Sequence, residues 1–198
     1  SRACASPPTA TTAAAAAGAA MGVAVKGAID NADALSKSAQ KIGVTTEALS
    51  RLKYAADFSD ISLEQLTGGL GRLSKTMLDV STGSKGPAAT AFKALGIAVT
   101  DAAGNLRNSD AVFADIADRF ARMEDGSTKT ALAISLFGKA GAELIPLLNS
   151  GASGLAAMAA ESDRLGVTLS SEAGYAAEQF NDTMTRIGKI IEGVVNKV

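Results

Sequence analysis

Residues 62–80 read SLEQLTGGLGRLSKTMLDV, and this stretch decides the fold class. Its large apolar residues recur at alternating spacings of three and four, at Leu63, Leu66, Leu70, Leu73, Met77 and Val80. An α-helix turns once every 3.6 residues, so this spacing places them on one face. Ser62 with Gln65 three residues later is typical of a capping box. The stretch therefore predicts an amphipathic helix that ends in the loop-type residues 81–87.

Three glycines interrupt this predicted helix, at Gly68, Gly69 and Gly71. Glycine in a helix interior costs up to about 1 kcal/mol relative to alanine. We expect the close approach of a neighbouring helix to compensate for that cost.

A second amphipathic helix is predicted over residues 110–124. Its N-cap and apolar face are formed by Ser109, Val112, Phe113, Ile116, Phe120 and Met123. Asp115 and Arg119 are spaced to form an ion pair on the opposite side, and so are Asp118 and Arg122. Two acids on one face could suggest catalysis, but a solvated helix face explains them better.

The C-terminal segment carries the longest apolar pattern. Spacings of four and three alternate without a break through Ala173, Ala177, Phe180, Met184, Ile187, Ile191, Val194 and Val198. This heptad seam predicts a coiled-coil-like helix that could pair with another copy, a partner protein or the chain's own upstream helices. Because the chain starts at Ser1 and no cap follows the seam, we expect a piece of a longer protein.

One segment resembles β-structure, and three resemble helix ends. Residues 97–107 predict a small hairpin, with Gly104 at the left-handed position of its turn. Gly43, Gly96 and Gly166 each follow an apolar residue, as at a helix C-terminus.

These patterns predict a mainly all-α fold: an irregular multi-helix bundle with one small hairpin and a long C-terminal helix. The predicted segments are a disordered N-terminus over 1–12, an alanine-rich helix over 13–42, a helical module over 43–168 and the long amphipathic helix over 169–198. Alanine accounts for much of the 47% hydrophobic content, which favours closely approaching helices over a bulky core.

Composition removes several classes of function. The chain has no histidine, and Cys4 is its single cysteine, so the commonest general base and thiolate metal sites are missing. The formal net charge is -1, which favours neither nucleic acid nor an anionic membrane. The Gly138-Lys139-Ala140-Gly141 stretch lacks the GK[ST] ending of a phosphate-binding loop. We therefore predict no catalytic, cofactor-binding or metal-binding residues.

Residues 132–149, LAISLFGKAGAELIPLLN, resemble the signature of phage tail tape measure proteins, in which a helix ending in Phe-Gly precedes a short Leu-x-Pro-Leu-Leu helix. The order of helix ends and apolar helix faces around this motif, over roughly residues 34–187, is also similar to that in the family. Phe137 and Leu144 flank the Gly-rich joint of this motif, and we expect both to be core anchors.

The resemblance implies a structural role in virion assembly. Such proteins fill the lumen of the growing bacteriophage or prophage tail, set its length and leave ahead of the DNA during ejection. The implied partners are the tail tube protein, tail assembly chaperones and tail-tip or baseplate proteins, with no specific nucleic acid and membrane contact only during ejection. The implied location is the tail lumen of the virion, after synthesis in the bacterial host cytoplasm. Pro87 and Pro146 interrupt helical structure, so we expect a folded module rather than one continuous helical rod.

An alternative interpretation is a helical membrane-active or secreted bacterial protein. It would insert through its Ala/Gly-rich N-terminal segment, in which Gly18 and Gly22 form a GxxxG pattern. That segment has few large apolar residues, which counts against insertion. An enzyme is a more distant third alternative.

Overall fold

The computed structural model describes residues 10–195, and the side chains of residues 25–193. This part of the chain is mainly helical, of the all-α class. Its helices are α1 Ala10–Ile42, α2 Thr46–Asp57, α3 Leu63–Ser81, α4 Pro87–Leu95, α5 Ser109–Ala121, α6 Ser127–Phe137, α7 Ile145–Leu148, α8 Gly151–Arg164 and α9 Ser171–Val195, with a 3-10 helix at Gly138–Gly141. The predicted disordered N-terminus covers residues 1–12, of which residues 1–9 lie outside the described part of the chain. Helix α1 begins at Ala10.

The predicted leucine-rich helix is α3, which lies at the centre of the fold. It contacts α1, α2, α4, α5 and α6. Leu66, Leu70, Leu73 and Met77 are buried in the core, and Leu63 and Val80 are half-buried against it. The capping box is confirmed, because the Ser62 hydroxyl accepts from the Gln65 N–H at 3.2 Å and the Gln65 side chain accepts from the Ser62 N–H at 2.8 Å.

The joint between α6 and α7 is buried against α3, as the motif predicts. Phe137 is 1% exposed and Leu144 is fully buried. The ring of Phe137 meets that of Phe113 edge to face, with centroids 5.6 Å apart. Such aromatic pairs add about 0.5–1.5 kcal/mol beyond the area that they bury. The prediction that Phe137 and Leu144 anchor the core is confirmed.

Close packing explains one of the three glycines in α3, because a Cβ at Gly69 would collide with the Leu144 side chain. Helix α1 also comes close to Gly71, where a Cβ would lie 3.4 Å from Ile42 Cγ2, an ordinary van der Waals contact. At Gly68 nothing lies within 4 Å, so the expected close approach is wrong for that position.

The three predicted helix-ending glycines all adopt left-handed backbone conformations. Their φ angles are 74° at Gly43, 66° at Gly96 and 69° at Gly166. At each, the next residue donates its N–H to the carbonyl five residues earlier, at 3.0–3.1 Å. This bond satisfies a carbonyl that the end of the helix leaves free.

The hairpin predicted over 97–107 is reduced to a single antiparallel bridge between Thr100 and Leu106. Between these residues, the Asp101 carboxylate accepts from the N–H groups of Ala103 and Asn105, at 2.9 and 2.8 Å. Such local side-chain bonds compete with a strand ladder for the backbone donors. Two backbone bonds flank the bridge, from the Asp101 N–H to the Asn105 carbonyl at 2.8 Å and from the Arg107 N–H to the Val99 carbonyl at 2.9 Å, so the segment is a tight turn closed by one bridge rather than a hairpin with two regular strands.

Helix α5 differs from its prediction at both ends. It begins at Ser109, with Asn108 at the N-cap, and ends at Ala121 rather than 124. Ser109 is buried and is not the cap.

One of the two ion pairs predicted for α5 is also wrong. Asp115 pairs with Arg107 at 2.7 Å instead of with Arg119, while Asp118 pairs with Arg122 at 2.9 Å as predicted. Arg107 takes this place because its other guanidinium nitrogen donates to the Ala98 carbonyl at 2.9 Å, which holds it beside Asp115.

Candidate assembly surface

Helices α1 and α9 pack against each other in antiparallel directions. Gly174, near the start of α9, lies against Ser36, and Asn181, two turns later, bonds to Asp33. Residue numbers therefore increase along α9 in the direction in which they decrease along α1. The long C-terminal helix thus rests on the N-terminal one.

The two helices approach closely because the residues between them are small. Gly174 is buried, and a Cβ there would lie 2.9 Å from the Ser36 Cβ and 3.4 Å from Thr46 Cγ2. Ala177, one turn later, is 7% exposed. This edge of α9 offers little apolar area, so the close contact of Gly174 with the Ser36 and Thr46 side chains contributes to the packing.

A buried carboxylate lies further along the same interface. Asp33 Oδ2 accepts from Asn181 Nδ2 at 3.0 Å, and the Lys37 ammonium lies 2.9 Å from both carboxylate oxygens. The Oδ1 atom of Asp33 is buried and has no partner of hydrogen-bond geometry. The hydrogen bonds from Asn181 and Lys37 hold the pKa of Asp33 below its ordinary value, against the effect of burial. Ionised Asp33 therefore favours the docking of α9.

A second carboxylate holds the first turn of α9. Glu47, in α2, accepts from the backbone N–H of Ser171 at 2.5 Å and from its hydroxyl at 2.8 Å. Hydrogen bonds from backbone N–H groups and from the Ser171 hydroxyl lower the pKa of Glu47. Just before α9, the Leu169 N–H donates to the Ser50 hydroxyl at 2.9 Å.

The loop before α9 is fixed by a third carboxylate. Asp163 pairs with Arg51 at 2.9 Å and accepts from the Thr168 hydroxyl at 2.6 Å. These hydrogen bonds, Arg51 first, lower the pKa of Asp163. The loop is thereby tied to α2 and α8.

Most of the predicted seam of α9 does not face α1. Within the described side chains of the seam, Ala177 is buried, but Phe180, Met184, Ile187 and Ile191 are 46%, 51%, 45% and 57% exposed. We call these four residues the α9 stripe. Helix α1 contacts the neighbouring edge, formed by Gly174, Ala177 and Asn181. The side chains of Val194 and Val198 lie outside those described.

The α9 stripe is long and apolar. From Phe180 to Ile191 it extends about 17 Å, at 1.5 Å per residue. Ile190, at 66% exposure, widens it. About half of each side chain is exposed, so the surface reaches roughly 400 Å², a size that is often functional on a monomer. It is the strongest candidate for an interaction surface in the described part of the chain.

Other features offer less chemistry. A cleft of about 410 Å³ lies between α1, α2 and the loop before α9, with Leu35 and Leu169 among its lining residues and the Lys53–Asp57 ion pair, 2.7 Å long, at its rim. Among the described residues, no cluster of three or more histidine, cysteine, aspartate or glutamate side chains could hold a metal ion. No helix that the structure describes is long and apolar enough to cross a membrane.

Several contacting residues were not predicted from the sequence. Asp33 and Gly174 meet partners from the opposite end of the chain, and local spacing gives no signal for that. Glu47 lies in the first turn of α2, and its place there gives no sign that it meets Ser171. Lys129 is 3% exposed in its side chain and donates to the Met123 carbonyl at 3.1 Å and to Asp125 at 2.8 Å, which closes the turn between α5 and α6.

No protein-family model, no curated protein and no solved structure matches this chain.

Proposed function

We propose that this chain is a segment of a phage or prophage tail tape measure protein, with a role in assembly and without an enzymatic reaction of its own. In this proposal it is made in the host cytoplasm, lies in the tail lumen and leaves ahead of the DNA. The resemblance of residues 132–149 to the family signature supports it. The buried packing of Phe137 and Leu144 fits a motif whose role is to join helices.

The observation that carries the proposal is the α9 stripe. Four large apolar side chains of one helix face are half exposed there, and apolar patches of this size often serve an interaction. An assembly protein needs such a face, because its partners bury it. In this proposal α9 is a coiled-coil-like helix, and the stripe receives a helix of a chaperone, the tail tube, the tail tip or another copy.

The experiment compares two doubly substituted phages. Ile187→Asp with Ile191→Asp places two charges in the stripe, where burial against a partner would leave them without counter-charges. Gln179→Asp with Gly193→Asp adds the same charge at exposed positions away from the stripe and is the control. We expect few or no tails from the first phage and a normal yield from the second.

Tail yield is measured by electron microscopy of lysates. The purified chains are compared by circular dichroism, to show that both variants keep the helical content of the parent. Normal tails from the stripe variant, with helical content intact, would contradict an assembly role for this surface.

A further inference from the structure

We infer that α9 is a releasable strap: residues 171–195 undock from α1 and α2 as one unit while the helices from the second half of α1 to α8 stay folded. The inference rests on the contacts of α9 alone and stands whether or not the proposed assembly role holds.

The first observation is that the described side chains of α9 are not part of the buried apolar core. Within the described side chains, the buried apolar cluster includes Leu35, Ala39 and Ile42 of α1 and reaches Leu169 in the loop, but it contains no residue of α9. Ala177, the buried apolar side chain of α9, lies outside that cluster. Segments with few buried apolar contacts open at lower free energy than the core to which they are attached.

The second observation is that α9, along its long contact with α1, is held by small and polar groups. Glu47 accepts from Ser171 at its start, Gly174 fits against Ser36 one turn later, and Asn181 donates to Asp33 two turns beyond. Each contact depends on one small or polar group rather than on a broad apolar face. Because these contacts lie outside the buried apolar cluster, breaking them leaves no cavity in the core.

The third observation places the hinge. Leu169 packs against the core and its N–H is held by Ser50, while Ser171 already belongs to α9. The loop begins at Gly166, with φ at 69°. Release therefore needs changes of backbone angle only around residues 169–171. It would free the edge of α9 that now faces α1, next to the exposed stripe.

A matched pair of glycine substitutions tests the strap. Gly174→Ala places a Cβ 2.9 Å from Ser36 Cβ, a contact that forces the helices apart. Gly188→Ala makes the same change in the same helix where nothing lies within 4 Å. Both raise intrinsic helix propensity equally, so they differ only in their effect on docking.

The readout is native-state hydrogen exchange of the full chain, followed by peptide. For Gly174→Ala we expect the amides of residues 176–187 to exchange roughly tenfold faster, while those of residues 66–77 in α3 keep the parent rate. For Gly188→Ala we expect exchange no faster than in the parent anywhere. Glu47→Gln, which weakens the bonds to Ser171, should act in the same direction as Gly174→Ala.

Two results would overturn the inference. One is parent-like exchange in α9 for both Gly174→Ala and Glu47→Gln. The other is acceleration of residues 66–77 in step with α9, since that would show that α9 opens only with the whole fold. Urea denaturation of each variant, followed by circular dichroism, measures the stability of the whole fold. A lower urea midpoint together with faster exchange of residues 66–77 would count as the second result.

Discussion

Replacing Phe137 by alanine tests the packing of the joint between α6 and α7. The ring is 1% exposed and contacts Phe113 edge to face. Burying about 150 Å² of ring at about 25 cal/mol/Å² contributes nearly 4 kcal/mol, and the aromatic pair adds about 1 kcal/mol. Since the methyl group of alanine remains and the site can partly collapse, we expect a loss of about 3–5 kcal/mol in the free energy of unfolding.

Urea denaturation followed by far-UV circular dichroism measures that loss, and the chain supplies a matched control. Phe58 also belongs to an edge-to-face pair, with Tyr54 at 5.0 Å, but it is 69% exposed. Phe58→Ala should cost less than about 1 kcal/mol. Equal losses for Phe137→Ala and Phe58→Ala, or no loss at Phe137, would refute the reasoning that the motif is a core joint.

Three further predictions concern stability and chemistry. Lys129→Met should cost about 1–2 kcal/mol in urea denaturation, because its buried ammonium donates to Met123 and Asp125; an unchanged midpoint would contradict this. The pKa values of Asp33, Glu47 and Asp163 are lowered by folding, so their stabilisation is present above their unfolded pKa values and is lost as pH falls through the folded ones. Hydrogen exchange in α9, corrected for intrinsic rates, should therefore show loss of protection below about pH 4, and undiminished protection there would argue against these bonds. Incubation with peptidoglycan, nucleotides or esters should give no turnover. Activity lost on changing Asp115, or Glu172 in the first turn of α9, would overturn the non-enzyme interpretation.

The sequence predicts the core helices well because their information is local. The stripe of α3 and its capping box depend on residues within a few turns, and those residues are buried or bonded as the spacing indicates. The left-handed glycines at the helix ends are predicted for the same reason: an L-residue with a Cβ rarely adopts that conformation.

The arrangement of α9 could not be predicted in this way. The heptad pattern identifies which residues of α9 are apolar, but not which edge faces its neighbour. That choice depends on Gly174 fitting against Ser36 and on Asn181 reaching Asp33, which are contacts between the two ends of the chain. Likewise, apolar residues and a glycine predict the hairpin at 97–107, but they do not show that the Asp101 carboxylate accepts from the N–H groups of Ala103 and Asn105 and shortens it to a single bridge.

The most direct test of the proposed function is the tail length of a phage with a longer α9. Inserting two further copies of residues 174–187 adds 28 residues and keeps the heptad pattern in register. At 1.5 Å per helical residue, we expect tails about 40 Å longer in electron micrographs. Well-formed tails of parental length would contradict the claim that this segment belongs to the ruler.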